Sequence, residues 1–66
     1  MTIPSPERIR QIRLSLGENQ IQFAKRLGVR NNTVSRWEIG KRQPDEYPHV
    51  KMLMELDQQL AEQERE

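Results

Sequence analysis

Glycines at positions 17, 28 and 40 close three successive stretches in which apolar residues recur at helical spacing, and this punctuation restricts the chain more than any other feature. Ile9, Ile12 and Leu16 fall at i, i+3 and i+7. Phe23, Ala24 and Leu27 share one helical face, and Val34 and Trp37 are three apart. No segment alternates apolar and polar residues as a half-buried strand does. Only 33% of the 66 residues are hydrophobic and three are aromatic. The core must therefore be small and assembled from narrow stripes on helices. An all-α bundle of four to five helices is expected.

Local chemistry sets the helix limits. Ser5-Pro6-Glu7 reads as a helix start, with Ser as N-cap, Pro where its missing N–H costs nothing and Glu complementing the helix dipole, so a first helix is predicted over about 6–16. Asn19 followed by Gln22 forms a capping-box pattern and opens a second helix over about 20–27. Gly28-Val29-Arg30 is too short a connection for the next helix to run far from the last, so the two must cross steeply. The third helix spans about 31–39. Lys41-Arg42-Gln43-Pro44 then makes a basic loop, Asp45 is placed to cap a fourth helix, and Pro48 falls in a first turn where it is tolerated. From Pro48 to Glu66 no further Gly or Pro appears, which predicts one long C-terminal helix; about 18 residues would span roughly 27 Å.

The net charge of +1 conceals a division. Residues 1–44 carry nine basic groups against three acidic ones, a balance of +6, whereas residues 45–66 carry two against seven, a balance of −5. A polyanion would meet the first two thirds of the chain and avoid the rest. With no Cys and a single His, neither a disulfide framework nor a metal cage is expected, and no cofactor is called for. The longest apolar run, Met52-Leu53-Met54, is far short of the roughly 20 residues a membrane span needs, and no signal-peptide pattern is seen. These features predict one cytoplasmic domain over 1–66 that does not engage a membrane.

On the long helix, Val50, Leu53, Met54 and Leu60 make one stripe, which Met52 and Leu56 broaden. So wide an arc exceeds what a small domain covers, so residues 45–66 are expected to serve both core packing and dimerisation. Met52, Leu53, Leu56 and Leu60 are the expected dimer interface. A two-sided core helix is the alternative. His49, near the start of this helix, suits a surface or capping role better than a metal ligand or pH switch.

Opposite Val34 and Trp37 on the third helix lie Asn32, Ser35 and Arg36, flanked by Asn31 and Thr33, all hydrogen-bonding groups. Two helices joined by a three-residue, Gly-containing turn, the second with a polar face beside a basic loop, have the geometry that sets a helix in the major groove of B-DNA. Asn can bond adenine N6 and N7, Arg guanine O6 and N7, and Thr can touch a thymine methyl. Lys41 and Arg42 suit phosphate contact, and Ser35 is a solvated or phosphate-facing hydroxyl. Trp37 shares the face of Val34 and belongs to the core rather than to a base-stacking platform.

The residues Gln20-Ile21-Gln22-Phe23-Ala24-Lys25-Arg26-Leu27-Gly28-Val29 and then Thr33-Val34-Ser35-Arg36-Trp37-Glu38-Ile39-Gly40, continued by Lys41-Arg42-Gln43-Pro44, resemble the Cro/repressor helix-turn-helix family. Several positions agree in both type and spacing, and the first helix extends the similarity to most of residues 6–44. The resemblance implies a small helix-turn-helix bundle. It also implies that Gln20 contacts the DNA backbone, that Asn31, Asn32, Thr33 and Arg36 read bases, and that Arg13 pairs with Glu38 in a structural role. The chain departs from the family in two places. Arg30 stands where Ser or Thr usually caps the recognition helix, so either Asn31 takes over the cap or Arg30 leaves the helix start uncapped and touches phosphate. The tail also lacks the break that usually separates a fourth from a fifth helix, so the family's dimer mode does not carry over.

No catalytic constellation is present: there is no Cys, no His set beside an acid and a nucleophile, and no Gly-rich phosphate loop. An enzyme is not expected. The leading expectation is a homodimeric, sequence-specific binder of double-stranded DNA that regulates transcription, most simply as a repressor on an inverted-repeat operator. The alternative from another class is an antitoxin-type module whose C-terminal helix binds a partner protein, with DNA binding autoregulatory. A third is a degenerate helix-turn-helix that no longer binds DNA, against which the intact basic face argues.

Overall fold

The computed structural model describes residues 3–65 as four helices in the order α1 (Pro6–Ser15), α2 (Gln20–Leu27), α3 (Asn31–Ile39) and α4 (Tyr47–Glu64), with no strand among the described residues. The caps read from sequence at the first two starts are formed. Ser5 Oγ accepts from the Arg8 N–H at 3.1 Å with Pro6 in the first turn. Asn19 Oδ1 accepts from the Gln22 N–H at 2.8 Å while Gln22 Oε1 accepts from the Asn19 N–H at 2.9 Å, which satisfies two donors that a helix start leaves orphaned.

One device ends the first three helices. The N–H of the residue after each terminating glycine, at 17, 28 and 40, reaches back to a carbonyl five residues earlier: Glu18 to Arg13, Val29 to Ala24 and Lys41 to Arg36. The residue between must take a left-handed backbone. Gly28 does so at φ 76°, a conformation that a β-carbon makes costly, and it tucks Val29 against the core.

The core comprises Ile9 and Ile12 of α1, Phe23, Ala24 and Leu27 of α2, Val34 and Trp37 of α3, and Leu53 of α4. Phe23, Val34 and Leu53 are fully enclosed. Burying side chains of this size stabilises by about 1.5–3 kcal/mol each. Helix α3 packs on both α1 and α2, and α4 lies along α1.

Helix α4 is a single 18-residue helix, as its lack of a break predicts; the expected last residue, Glu66, lies outside the described residues. One expectation about it is corrected. Asp45 is not its N-cap: the helix begins one residue later, Glu46 occupies the cap position, and no side chain bonds the free N–H groups. The apolar arc is also largely used within the chain. Of the four residues expected at a dimer interface, Leu53 is enclosed in the core, Leu56 and Leu60 are half-buried and pack against it, and Met52 is exposed. Docking of α4 on α1 rotates that side inward.

Candidate nucleic-acid interface

The position of α3 depends on Glu38. This carboxylate, only 4% exposed, accepts two bonds from Arg13, from Nε at 2.7 Å and Nη2 at 3.1 Å, and a third from Gln20 Nε2 at 3.2 Å. Arg13 also donates through Nη1 to the Glu18 carbonyl at 3.0 Å. One side chain of α3 is thereby tied to α1, to the start of α2 and to the segment between them. The Glu38 hydrogen bonds and charge hold the Arg13 guanidinium firmly in its protonated form. A forked guanidinium against a carboxylate in a nearly dry setting fixes orientation as well as distance.

The opposite side of α3 is open. Asn31, Asn32 and Arg36 are exposed, and Thr33 and Ser35 are half-buried. Thr33 stands apart from Asn32 and Arg36: it lines a cleft with Val29, Arg30, Trp37 and His49 at the start of α4. Trp37 itself is core, with its ring 6.2 Å from that of His49. His49 is half-buried, and its Nδ1 lies 3.5 Å from the Glu46 carboxylate, a local contact within one turn. At 100° per residue, Ile39 falls within about 20° of Asn32 on the open face, and it is 63% exposed. An apolar side chain among hydrogen-bonding ones is a member of this face that pattern reading overlooked, although its spacing of seven from Asn32 was available.

At the α3 start, Arg30 occupies the cap position with extended backbone and no side-chain hydrogen bond, while Asn31 is the first helical residue and does not take over the cap. No side chain therefore caps the first turn of α3, where the Thr33 N–H turns back to the Arg30 carbonyl at 3.0 Å beside an exposed Arg30 side chain. Gln20, expected at the DNA backbone, is half-buried and engaged with Glu38. Its amide has a second N–H, so an outward contact is compatible with that bond. Lys41 and Arg42 are exposed, and Arg42 lies 4.0 Å from Asp45, a loose pairing across one turn.

Two other ionic clusters escaped sequence reading. Arg8 bonds Asp57 and takes Glu64 with both terminal nitrogens, at 3.0 and 2.8 Å, which straps α1 to the far end of α4. Glu18 receives Arg26 in a fork at 3.0 and 2.9 Å. None of these pairs sits at a spacing that a helix pattern would flag. Among the described residues no group of His, Asp or Glu side chains is placed to hold a metal ion, and no helix is long and apolar enough to cross a membrane.

Two helices packed together across a three-residue connection, the second with an exposed polar face and held from behind by a nearly buried ion pair, define a helix-turn-helix unit of the kind that presents one helix to a DNA groove. Comparison with protein-family models gives a match over residues 9–47 to the family described as helix-turn-helix, more than half of the chain. The chain belongs to the Cro/repressor-type helix-turn-helix family, a family of DNA-binding transcription regulators rather than of enzymes. The matched stretch holds most of α1, all of α2 and α3 and the basic loop; beyond Tyr47, α4 lies outside it. Neither the curated proteins nor the solved structures gave a match.

Proposed function

We propose that the protein is a homodimeric repressor that acts in the cytoplasm and reads an inverted-repeat operator, each subunit setting α3 into one major groove. The observation that carries this reading is the exposed pair Asn32 and Arg36, neighbours one turn apart on a helix whose rear is fixed by Glu38, Arg13 and Gln20. An amide and a guanidinium held at fixed spacing are the groups that bond adenine and guanine edges in two places at once. Asn31 and Thr33 border this pair. Arg30, Ser35, Lys41, Arg42 and Gln20 surround it with donors that suit phosphate, and those contacts supply the sequence-independent part of affinity.

Selection from a random duplex library tests the proposal. The expected product is a palindrome whose half-site centres are about 10–10.5 bp, or a multiple, apart. Recovery of no motif would overturn the reading, and recovery of a single unrepeated half-site would overturn its dimeric part. The antitoxin-type alternative relied on the arc from Met52 to Leu60 as a surface for a partner protein. With Leu53 enclosed and Leu56 and Leu60 packed on the core, that arc offers a partner little, and the repressor reading is preferred.

A further inference from the structure

We infer that the outward side of α4 is a self-complementary face that pairs antiparallel with α4 of a second copy of this chain, an inference that rests on the homodimer reading and deepens it by naming the surface. About a quarter turn round the helix from Leu53, α4 bears an open groove of about 450 Å³. Tyr47, Val50 and Met54, at i, i+3 and i+7, form its apolar seam, and Lys51, Glu55 and Gln58 line it as well. Tyr47 is 62% exposed, an unusual state for an aromatic with no visible polar duty. Lys51 and Glu55 are both exposed, and neither has an ion-pair partner among the described residues, although they stand one turn apart on the same helix.

The order of these residues identifies the occupant. About a twofold axis crossing α4 near Met52 and Leu53, Val50 of one chain faces Met54 of the other, Tyr47 faces Gln58, and Lys51 faces Glu55. All three pairs share one midpoint to within half a residue. Seen down the helix, Lys51 and Glu55 lie on the same flank of the seam. Antiparallel helices bring like flanks together, so each chain's unpaired lysine meets the other's unpaired glutamate, and the axis makes the contact twice. Parallel helices bring unlike flanks together and would leave both charges without partners. The antiparallel arrangement also sends the two acidic C-terminal ends, with Glu62 and Glu64, to opposite sides of the dimer. A different protein would have no reason to match a twofold pattern of this kind.

Equilibrium sedimentation of the full chain, of Lys51→Glu, of Glu55→Lys and of their equimolar mixture tests the proposal. Both substitutions are at exposed positions, and circular dichroism checks that each variant is folded. Wild type is expected to dimerise in the micromolar range. Each variant alone sets like charges against each other twice and should dimerise about tenfold more weakly. The mixture should return to the wild-type value, because every contact in the heterodimer again joins opposite charges. A wild type that stays monomeric throughout the micromolar range, variants that dimerise as wild type does, or a mixture that fails to recover would each overturn it. A monomer that still binds a duplex half-site would overturn this interface and leave the DNA reading intact. A dimer with the expected charge pattern that ignores every duplex would do the reverse.

Discussion

Arg36 and Lys41 are both exposed cations near the end of α3, yet they should fail in different ways when removed. Arg36 lies on the face with Asn32, where a guanidinium can bond two acceptors of one guanine. Arg36→Ala is expected to weaken operator binding by about 1–3 kcal/mol and to relax preference at one base pair. Repeating the duplex selection with the variant checks this, and an unchanged motif would remove Arg36 from the reading group. Lys41 follows Gly40 in the basic loop past the end of α3, with its backbone N–H held to the Arg36 carbonyl at 3.0 Å, and so does not belong to the helical face of Asn32 and Arg36. Lys41→Ala should weaken all duplexes alike and lower the magnitude of the salt slope by about one, because one phosphate contact releases about one counterion. A titration of affinity against salt that shows the same slope for both proteins would count against a phosphate contact there.

Among the elements, α1 and α2 were legible in advance because their controlling contacts are local. Asn19 and Gln22 satisfy each other across three residues, and Ser5 reaches Arg8 across the same distance. The orientation of α4 was not legible in the same way. Which side of that helix faces inward is set by its docking on α1, and part of that docking is the strap from Arg8 to Asp57 and Glu64, which lie 49 and 56 residues further along. A stripe analysis of α4 alone finds apolar residues most of the way round and has no basis for preferring Leu53 over Met54. The site divides similarly. The open face of α3 followed from its period, whereas the engagement of Gln20 with Glu38 links two helices and required the fold.

The same ionic contacts make stability depend on acid. Hydrogen bonds from Arg26 hold the Glu18 carboxyl below its ordinary value of 4.5, and Arg8 does likewise for Glu64. Their stabilisation is fully present above that value and is lost as pH falls below it, because the unfolded chain then binds protons that the folded one resists. Thermal unfolding midpoints should be level from neutrality down to about pH 5 and decline below it. In Glu18→Gln the decline should be shallower, and an identical decline in both proteins would show that this pair contributes nothing. Both pairs are partly exposed, so salt should reduce the effect.

For the whole molecule the division of charge becomes spatial. The basic excess of residues 1–44 includes α3 and its loop, whereas the acidic excess of residues 45–66 belongs mostly to α4. A duplex would approach the first and be repelled by the second, which orients the domain before any base is read. Successive major grooves on one side of B-DNA are roughly 34 Å apart, which is the spacing that two reading helices joined through α4 have to meet. Two reading helices held rigidly at this separation can serve only half-sites that face the same way. Insertion of five base pairs between the half-sites of the selected operator turns one of them about half a revolution away. Affinity should then fall by at least roughly a hundredfold, toward that of a single half-site, since one reading helix loses its base contacts. A gel-shift titration of the two operators measures the ratio. Equal affinities would mean that the subunits are not rigidly coupled, and a packed α4 pair could not then be the joint between them.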